Sequence, residues 1–166
     1  ALAGHADLLV FPENSLFLRL SGSSKIEGAR SSTFAPIADA IRGSDLHVLI
    51  TTPTETGKEK SRNSTWLISP DGKIEELYSK IHLFDVDVEG APPVRESDNF
   101  VHGSQPFLWS FKGWKIGLSI CYDLRFSELF LSYAQVADLI LVPAAFLVPT
   151  GQAHWHVLLR ARAIEC

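Results

Sequence analysis

Two short runs, residues 6–11 (ADLLVF) and 138–143 (DLILVP), are apolar with almost no alternation, and each ends at a proline. A strand with one wet face alternates apolar and polar side chains, whereas a strand covered on both faces reads as a continuous apolar run. Such runs place strands inside a sheet that carries other layers on either side. Residues 46–51 (LHVLIT) read as a further strand. The helix before it, over 33–41, repeats Phe34, Ile37, Ala38 and Ile41 at helical spacing and stops at Gly43. The fold class that follows is α/β, a mixed sheet with helices packed on it.

Residues 64–68 and 73–78 flank Ser69-Pro70-Asp71-Gly72, where Pro presets φ, Asp bonds the local backbone and Gly permits a positive φ. This predicts a hairpin, with Lys80 just beyond it. Residues 107–111 and 115–120 read as two more strands around Lys112-Gly113, the second delivering Cys121 at its end. Ser127 is a suitable N-cap for a helix to Val136, and the 138–143 strand follows, so the segment reads strand, elbow, helix, strand. Trp155, Leu158, Leu159 and Arg162 predict a last helix over 154–165. Residues 53–62 are polar without periodicity and read as an exposed loop. Residues 82–102 form a long loop carrying Asp85, Asp87, Glu89, Glu96 and Asp98, and loops of that length inside compact domains are often functional.

With 46% hydrophobic and 20% charged residues, the 166-residue chain has enough apolar material for a core. Its 15 Lys+Arg against 19 Asp+Glu are scattered, which argues against nucleic acid as a partner. No apolar run is long enough to cross a bilayer, so no membrane is expected and a cytoplasmic protein is the default expectation. Only Cys121 and Cys166 are present, without metal-ligand spacing, so both read as free thiols and no metal or cofactor is expected. No repeat or linker divides residues 1–166, which therefore read as one domain. The chain has no Met and opens close to a strand, so it is expected to be part of a longer protein.

Cys121 lies where a strand hands over to a helix, a place that exposes a side chain and aims backbone N–H groups at developing negative charge. Position alone reads more readily as a small buried hydrophobe. A thiol needs a base, which could be one of six histidines, His82 or His154 foremost, or a carboxylate such as Glu13 at the end of the first strand. Glu13 and Lys80, taken singly, read first as solvated polar groups at strand ends.

Together these residues carry a resemblance. Leu9-Val10-Phe11-Pro12-Glu13, Tyr78-Ser79-Lys80-Ile81-His82-Leu83-Phe84-Asp85 and Gly117-Leu118-Ser119-Ile120-Cys121-Tyr122-Asp123-Leu124-Arg125-Phe126 resemble, in order, the signature regions of the nitrilase (carbon-nitrogen hydrolase) superfamily. Arg95-Glu96-Ser97 resembles the segment bearing that family's second Glu. His82 to Val88, Ala153-His154-Trp155 and residues 159–165 are most similar to the Nit branch, which comprises deaminated glutathione amidases and omega-amidases. The 160–165 helix end with the Arg95-Glu96-Ser97 loop leans toward the deaminated glutathione side.

The resemblance implies an α-β-β-α sandwich truncated at both ends, covering the middle of the family domain. It implies Glu13 as general base, Cys121 as nucleophile, Lys80 and the Tyr122 N–H as oxyanion stabilisers, and Glu96 as a second acid that positions substrate or Lys80. The implied reaction cleaves a linear amide, a small-molecule substrate, through a thioester without metal, and the implied assembly is a homodimer. Arg125 and Trp155 are expected at the substrate. The competing expectation for Arg125 and Arg162 is ion pairing with Asp123 or Glu165. Three residues depart from the pattern: Ser127 where a Pro is common, Gln152 in a Thr-Gly-Pro-Ala-His-Trp stretch, and His156 in place of a Glu. They are expected to alter pocket shape rather than catalysis.

Overall fold

The first strand, β1 (Leu8–Val10), runs parallel to β2 (His47–Thr54), which continues antiparallel into β3 (Arg62–Ile68) and β4 (Ile74–Ser79). This is one sheet in the order β1-β2-β3-β4. The computed structural model describes residues 5–17, 28–87 and 93–166. Beyond a two-stranded ribbon of β5 (Asp85–Val86) and β6 (Val94–Arg95), a second sheet is built from β7 (Leu108–Phe111), β8 (Trp114–Leu118) and β9 (Leu139–Leu141). β8 pairs antiparallel with β7 and parallel with β9. The helices are α1 (Ala35–Ile41), α2 (Ser127–Leu131) and α3 (Val148–Glu165).

The core divides into three layers, and side-chain alternation along the strands decides which layer each residue enters. Val48, Ile50, Trp66 and Ile68 turn outward onto Phe34, Ala38 and Ile41 at α1. Leu49 and Leu67 turn the other way, onto Trp109, Ile116 and Leu118 of the second sheet. The far face of that sheet packs Ile140 and Val142 against Leu129, Phe130, Tyr133, Trp155 and Leu158. Helix, sheet, sheet, helix is the α-β-β-α sandwich that the sequence implies. The apolar runs are met in part: Leu9 joins the α1 layer while Leu8 joins the layer between the sheets, so β1 touches both layers, but it is the edge strand of its sheet and Val10 stays exposed, as does Leu139 on β9.

Three local expectations are corrected. The loop expected over 53–62 begins later, because β2 continues through Pro53 and Thr54, which pair with Asn63 and Arg62 and are buried. Ser127 is the first residue of α2 rather than its cap: the cap is Phe126, held extended where its ring stacks on His82 at 3.7 Å. That helix ends at Leu131, and the chain goes on to Ala137 in turns, with the Tyr133 carbonyl accepting the N–H groups of Val136 and Ala137. The last helix starts at Val148, six residues before the expected start, with Pro149 in its first turn where no N–H partner is needed.

Candidate active site

The ends of three strands and one loop converge at one edge of the layer between the sheets. Glu13 follows β1 and is 6% exposed; Asn14 after it adopts φ +60°, a conformation that Asn tolerates, and turns the chain away. Lys80 follows β4 and is 2% exposed. Its backbone is clamped on both sides, its N–H donating to the Asn63 carbonyl at 2.8 Å and its carbonyl accepting from the Gly103 N–H at 2.7 Å. At Gly103 a Cβ would lie 2.1 Å from the Ser79 carbonyl oxygen, so only glycine allows this approach.

Cys121 opens a short 3-10 turn (Cys121–Arg125) at φ +48°, a left-handed conformation that costs a residue with a Cβ about 1–2 kcal/mol. The strand leading to it is held flush by Gly117, whose Cβ would press 2.9 Å into the Tyr133 ring, and by the Tyr133 hydroxyl, which donates to the Leu118 carbonyl at 2.8 Å. Burial, and next the adjacent Glu13 carboxylate, push the Cys121 thiol well above its ordinary value, while Lys80 pulls it down. The resting thiol is neutral and needs a base, and the group beside it is Glu13.

Lys80 joins the two acids. Its Nζ donates to Glu13 Oε1 at 3.1 Å and to Glu96 at 3.1 and 2.9 Å. Burial works to lower this ammonium, but Glu13 and then Glu96 outweigh it and the balance is upward, so Lys80 is a fixed cation. The other Glu13 oxygen accepts the Ala145 N–H at 3.0 Å. Glu96 reaches the cluster from the 82–102 segment, held by the Phe84 N–H at 2.6 Å.

Glu13, Lys80, Glu96 and the Cys121 thiol, all expected from sequence, are thus brought together. Tyr122 is half-buried, its ring edge-on to Phe84 at 4.9 Å. The ion pair considered between Arg125 and Asp123 does not form. Arg125 instead lies over the rings of Phe146 at 5.4 Å and Tyr122 at 5.7 Å, with Nη1 3.2 Å from His154 Nδ1. Arg162 does pair with Glu165, at 2.7 Å. Trp155 packs against Phe146 at 5.0 Å and lines a cleft of about 570 Å³ with Ala144, Leu147, Gln152 and His156. Two of the departures from the family pattern therefore stand on the wall of that cleft, which begins one residue from the Ala145 N–H. His82, the alternative base, has its Nδ1 engaged by Asp123 at 2.8 Å.

Two residues of this region were given no part in the site from sequence. Asp123, considered only as a partner for Arg125, is fully buried and accepts from Tyr78, His82 and Ile120; an acid three residues after Ile120 in the elbow was the available signal. Asn63, 2% exposed, donates to Glu13 Oε1 at 2.8 Å and to Glu96 Oε1 at 3.4 Å.

With this arrangement in place, the comparisons with known proteins agree. The carbon-nitrogen hydrolase family model matches residues 1–166, and the chain belongs to that family. It is 38% identical over 168 residues to a deaminated glutathione amidase of Synechocystis, covering 96% of this chain and 62% of that protein. To an omega-amidase of Mus musculus it is 35% identical, covering 86% of this chain and 51% of the relative. The chain thus spans about half to three-fifths of the length of these relatives. Among solved structures, a CN-hydrolase superfamily protein of Xanthomonas campestris with an arsenic adduct in its active site superposes with a TM-score of 0.74 at 28% identity, covering 99% of this chain and 61% of that one. A Glu-to-Gln variant of an amidase from Nesterenkonia sp. AN1, with the acetamide moiety of fluoroacetamide added covalently at its active-site cysteine, gives 0.70 at 25% identity over 95% of this chain and 59% of that one.

Proposed function

We propose that the protein hydrolyses the C–N bond of a linear carboxamide to a carboxylic acid and ammonia, with Cys121 as nucleophile. The observation that carries this reading is the buried set of Glu13, Lys80 and Glu96 gathered against a strained, neutral thiol. Glu13 takes the thiol proton as the sulfur attacks the amide carbon. The resulting oxyanion is stabilised by the Lys80 ammonium and the Tyr122 N–H, donors of a kind worth about 3 kcal/mol each. Collapse breaks the C–N bond, and ammonia departs with the proton that Glu13 held. Water then gives a proton to Glu13 and its hydroxyl to the thioester carbon; the carboxylic acid leaves and the thiol is restored. Glu96 holds Lys80 in place throughout.

The preferred substrate is deaminated glutathione, with alpha-ketoglutaramate-like substrates as the alternative, in line with the names of the two relatives. In this reading Arg125, a half-buried cation at the rim of the cleft with Trp155 on its wall, binds a carboxylate of the substrate. The chain is part of one carbon-nitrogen hydrolase domain, works in the cytoplasm and assembles as a homodimer. Among the described residues no helix is long and apolar enough to cross a membrane.

The experiment is ammonia release from both substrates by the wild-type chain and by Cys121→Ala. Release that depends on Cys121 is expected, and the faster substrate names the branch. Equal release by Cys121→Ala excludes the mechanism, and loss in Glu13→Gln separates it from a Cys-His hydrolase.

A further inference from the structure

Asn63 is the polar group of the cluster to which the reaction above gives no task. It stands on β3 one step beyond the Ser64–Ser79 pair, where its carbonyl accepts the Lys80 N–H at 2.8 Å, so the ladder sets Asn63 and Lys80 side by side. Asn63 Nδ2 lies 2.8 Å from Glu13 Oε1 and 3.4 Å from Glu96 Oε1; Lys80 Nζ lies 3.1 Å from each of the same two oxygens. One charged and one neutral donor therefore bridge the same pair of carboxylate oxygens.

Asn63 Oδ1 is buried and has no hydrogen-bond partner among the described residues. An unpaired buried acceptor is unfavourable. Turning the amide over would be worse, because that oxygen would then face two carboxylates and the shared donor would be lost. The charge of the two acids thus dictates how the amide sits.

Two carboxylates this close repel each other, and a donor shared between their oxygens draws them together. The groups facing Glu13 are Lys80, Asn63, the Ala145 N–H and the Cys121 thiol; those facing Glu96 are Lys80, Asn63 and the Phe84 N–H. We propose that Asn63 is a positioning residue that, with Lys80, holds the Glu13 and Glu96 carboxylates together and keeps Glu13 aimed at Cys121. An amide suits this task better than a charged group. A second Lys would neutralise the cluster and weaken the base, and an Asp would add a third carboxylate. The inference rests on the amidase reading only for what Glu13 then does.

The test follows the rate of Cys121 alkylation by iodoacetamide, with Cys121 resolved from Cys166 by peptide mass mapping and ammonia release measured in parallel. Asn63→Leu keeps the bulk without the donor, Asn63→Asp replaces the donor with a carboxylate, and Asn63→Ser retains a short donor. Alkylation of Cys121 is expected to slow by about tenfold in Asn63→Leu and further in Asn63→Asp, with Asn63→Ser nearer the wild type and Cys166 unchanged in all three. If Asn63→Leu does not fold, the Asp and Ser variants carry the comparison. Cys121 alkylation that keeps its wild-type rate in the variants, in a protein that releases ammonia, overturns the inference alone. Slower Cys121 alkylation in a chain whose wild type releases no ammonia supports it and overturns the amidase reading.

Discussion

His82 and Asp123 are joined twice: the imidazole Nδ1 lies 2.8 Å from Oδ1, and the His82 main-chain N–H donates to that same oxygen at 2.9 Å. The second oxygen, Oδ2, accepts the Tyr78 hydroxyl at 2.8 Å and the Ile120 N–H at 2.9 Å. Tyr78 and His82 lie on either side of Lys80 in the chain, and Ile120 precedes Cys121. One buried carboxylate therefore ties the segment that carries the amine to the segment that carries the thiol.

Removing one tie should cost less than removing the carboxylate. Tyr78→Phe leaves Oδ2 with the Ile120 N–H alone and is expected to lower unfolding free energy by about 1–3 kcal/mol. Asp123→Ala strands three partners and opens a cavity, with an expected loss of about 3–5 kcal/mol. Urea unfolding of the two variants beside the wild type checks the order; a smaller loss for Asp123→Ala contradicts the role given to this carboxylate.

The strain at Cys121 should appear as stability that function gives up. Cys121→Ala and Cys121→Gly both remove the thiol, but only glycine accepts φ +48° without a Cβ penalty. Cys121→Gly is expected to be more stable than Cys121→Ala by about 1 kcal/mol, the reverse of the usual order for these residues. Both variants should release no ammonia. Thermal unfolding of the pair measures the difference directly.

The main features of this architecture were legible because each leaves a one-dimensional trace. The apolar runs mark strands that touch two layers, although β1 and β9 are edge strands with Val10 and Leu139 exposed; Ser69-Pro70-Asp71-Gly72 marks the hairpin, and Glu13, Lys80 and Cys121 each follow a strand that announces its own end. Asn63 leaves no such trace. Counted back from Ile68 opposite Ile74, an unbroken ladder puts Asn63 across from Ser79; the irregularity between Thr65 and Trp66 shifts the register by one and brings it to Lys80. The short α2 was hidden for a similar reason. Phe126 is held extended by stacking on His82, a residue more than forty positions away, and local capping preference cannot anticipate that contact.

The buried protonated groups set an alkaline limit to the fold. Burial raises the Cys121 thiol from an ordinary value of 9.0, and it raises the Tyr133 hydroxyl from 10.0 to about 12. Burial also raises the Tyr78 hydroxyl, while the two acids outweigh burial in raising Lys80. In each case the folded state holds a proton that the unfolded state gives up first. Stability is therefore fully present below the unfolded value and falls as pH rises through the folded one. Unfolding free energy is expected to decline from about pH 9 upward, with Tyr133→Phe flattening the part between about pH 10 and 12. Urea titrations at stepped pH check it; stability that rises across this range contradicts the sign.

Arg125 offers the sharpest probe of substrate class. Its guanidinium lies over two aromatic faces with Nη1 at His154, a setting that leaves its remaining planar donors for an incoming carboxylate. If it binds such a group away from the scissile amide, it acts equally in the ground and transition states, so its loss raises KM and leaves kcat nearly unchanged. Arg125→Leu is expected to raise KM for an acidic amide by about tenfold to a hundredfold, the range for losing a charged hydrogen-bond pair. Arg125→Lys should recover part of that loss, because it restores the charge without the fork. A small neutral amide such as butyramide should show no change in either variant. Steady-state kinetics on both amides decides the matter, since an equal loss on the neutral amide would make Arg125 a support for the elbow rather than a contact for substrate.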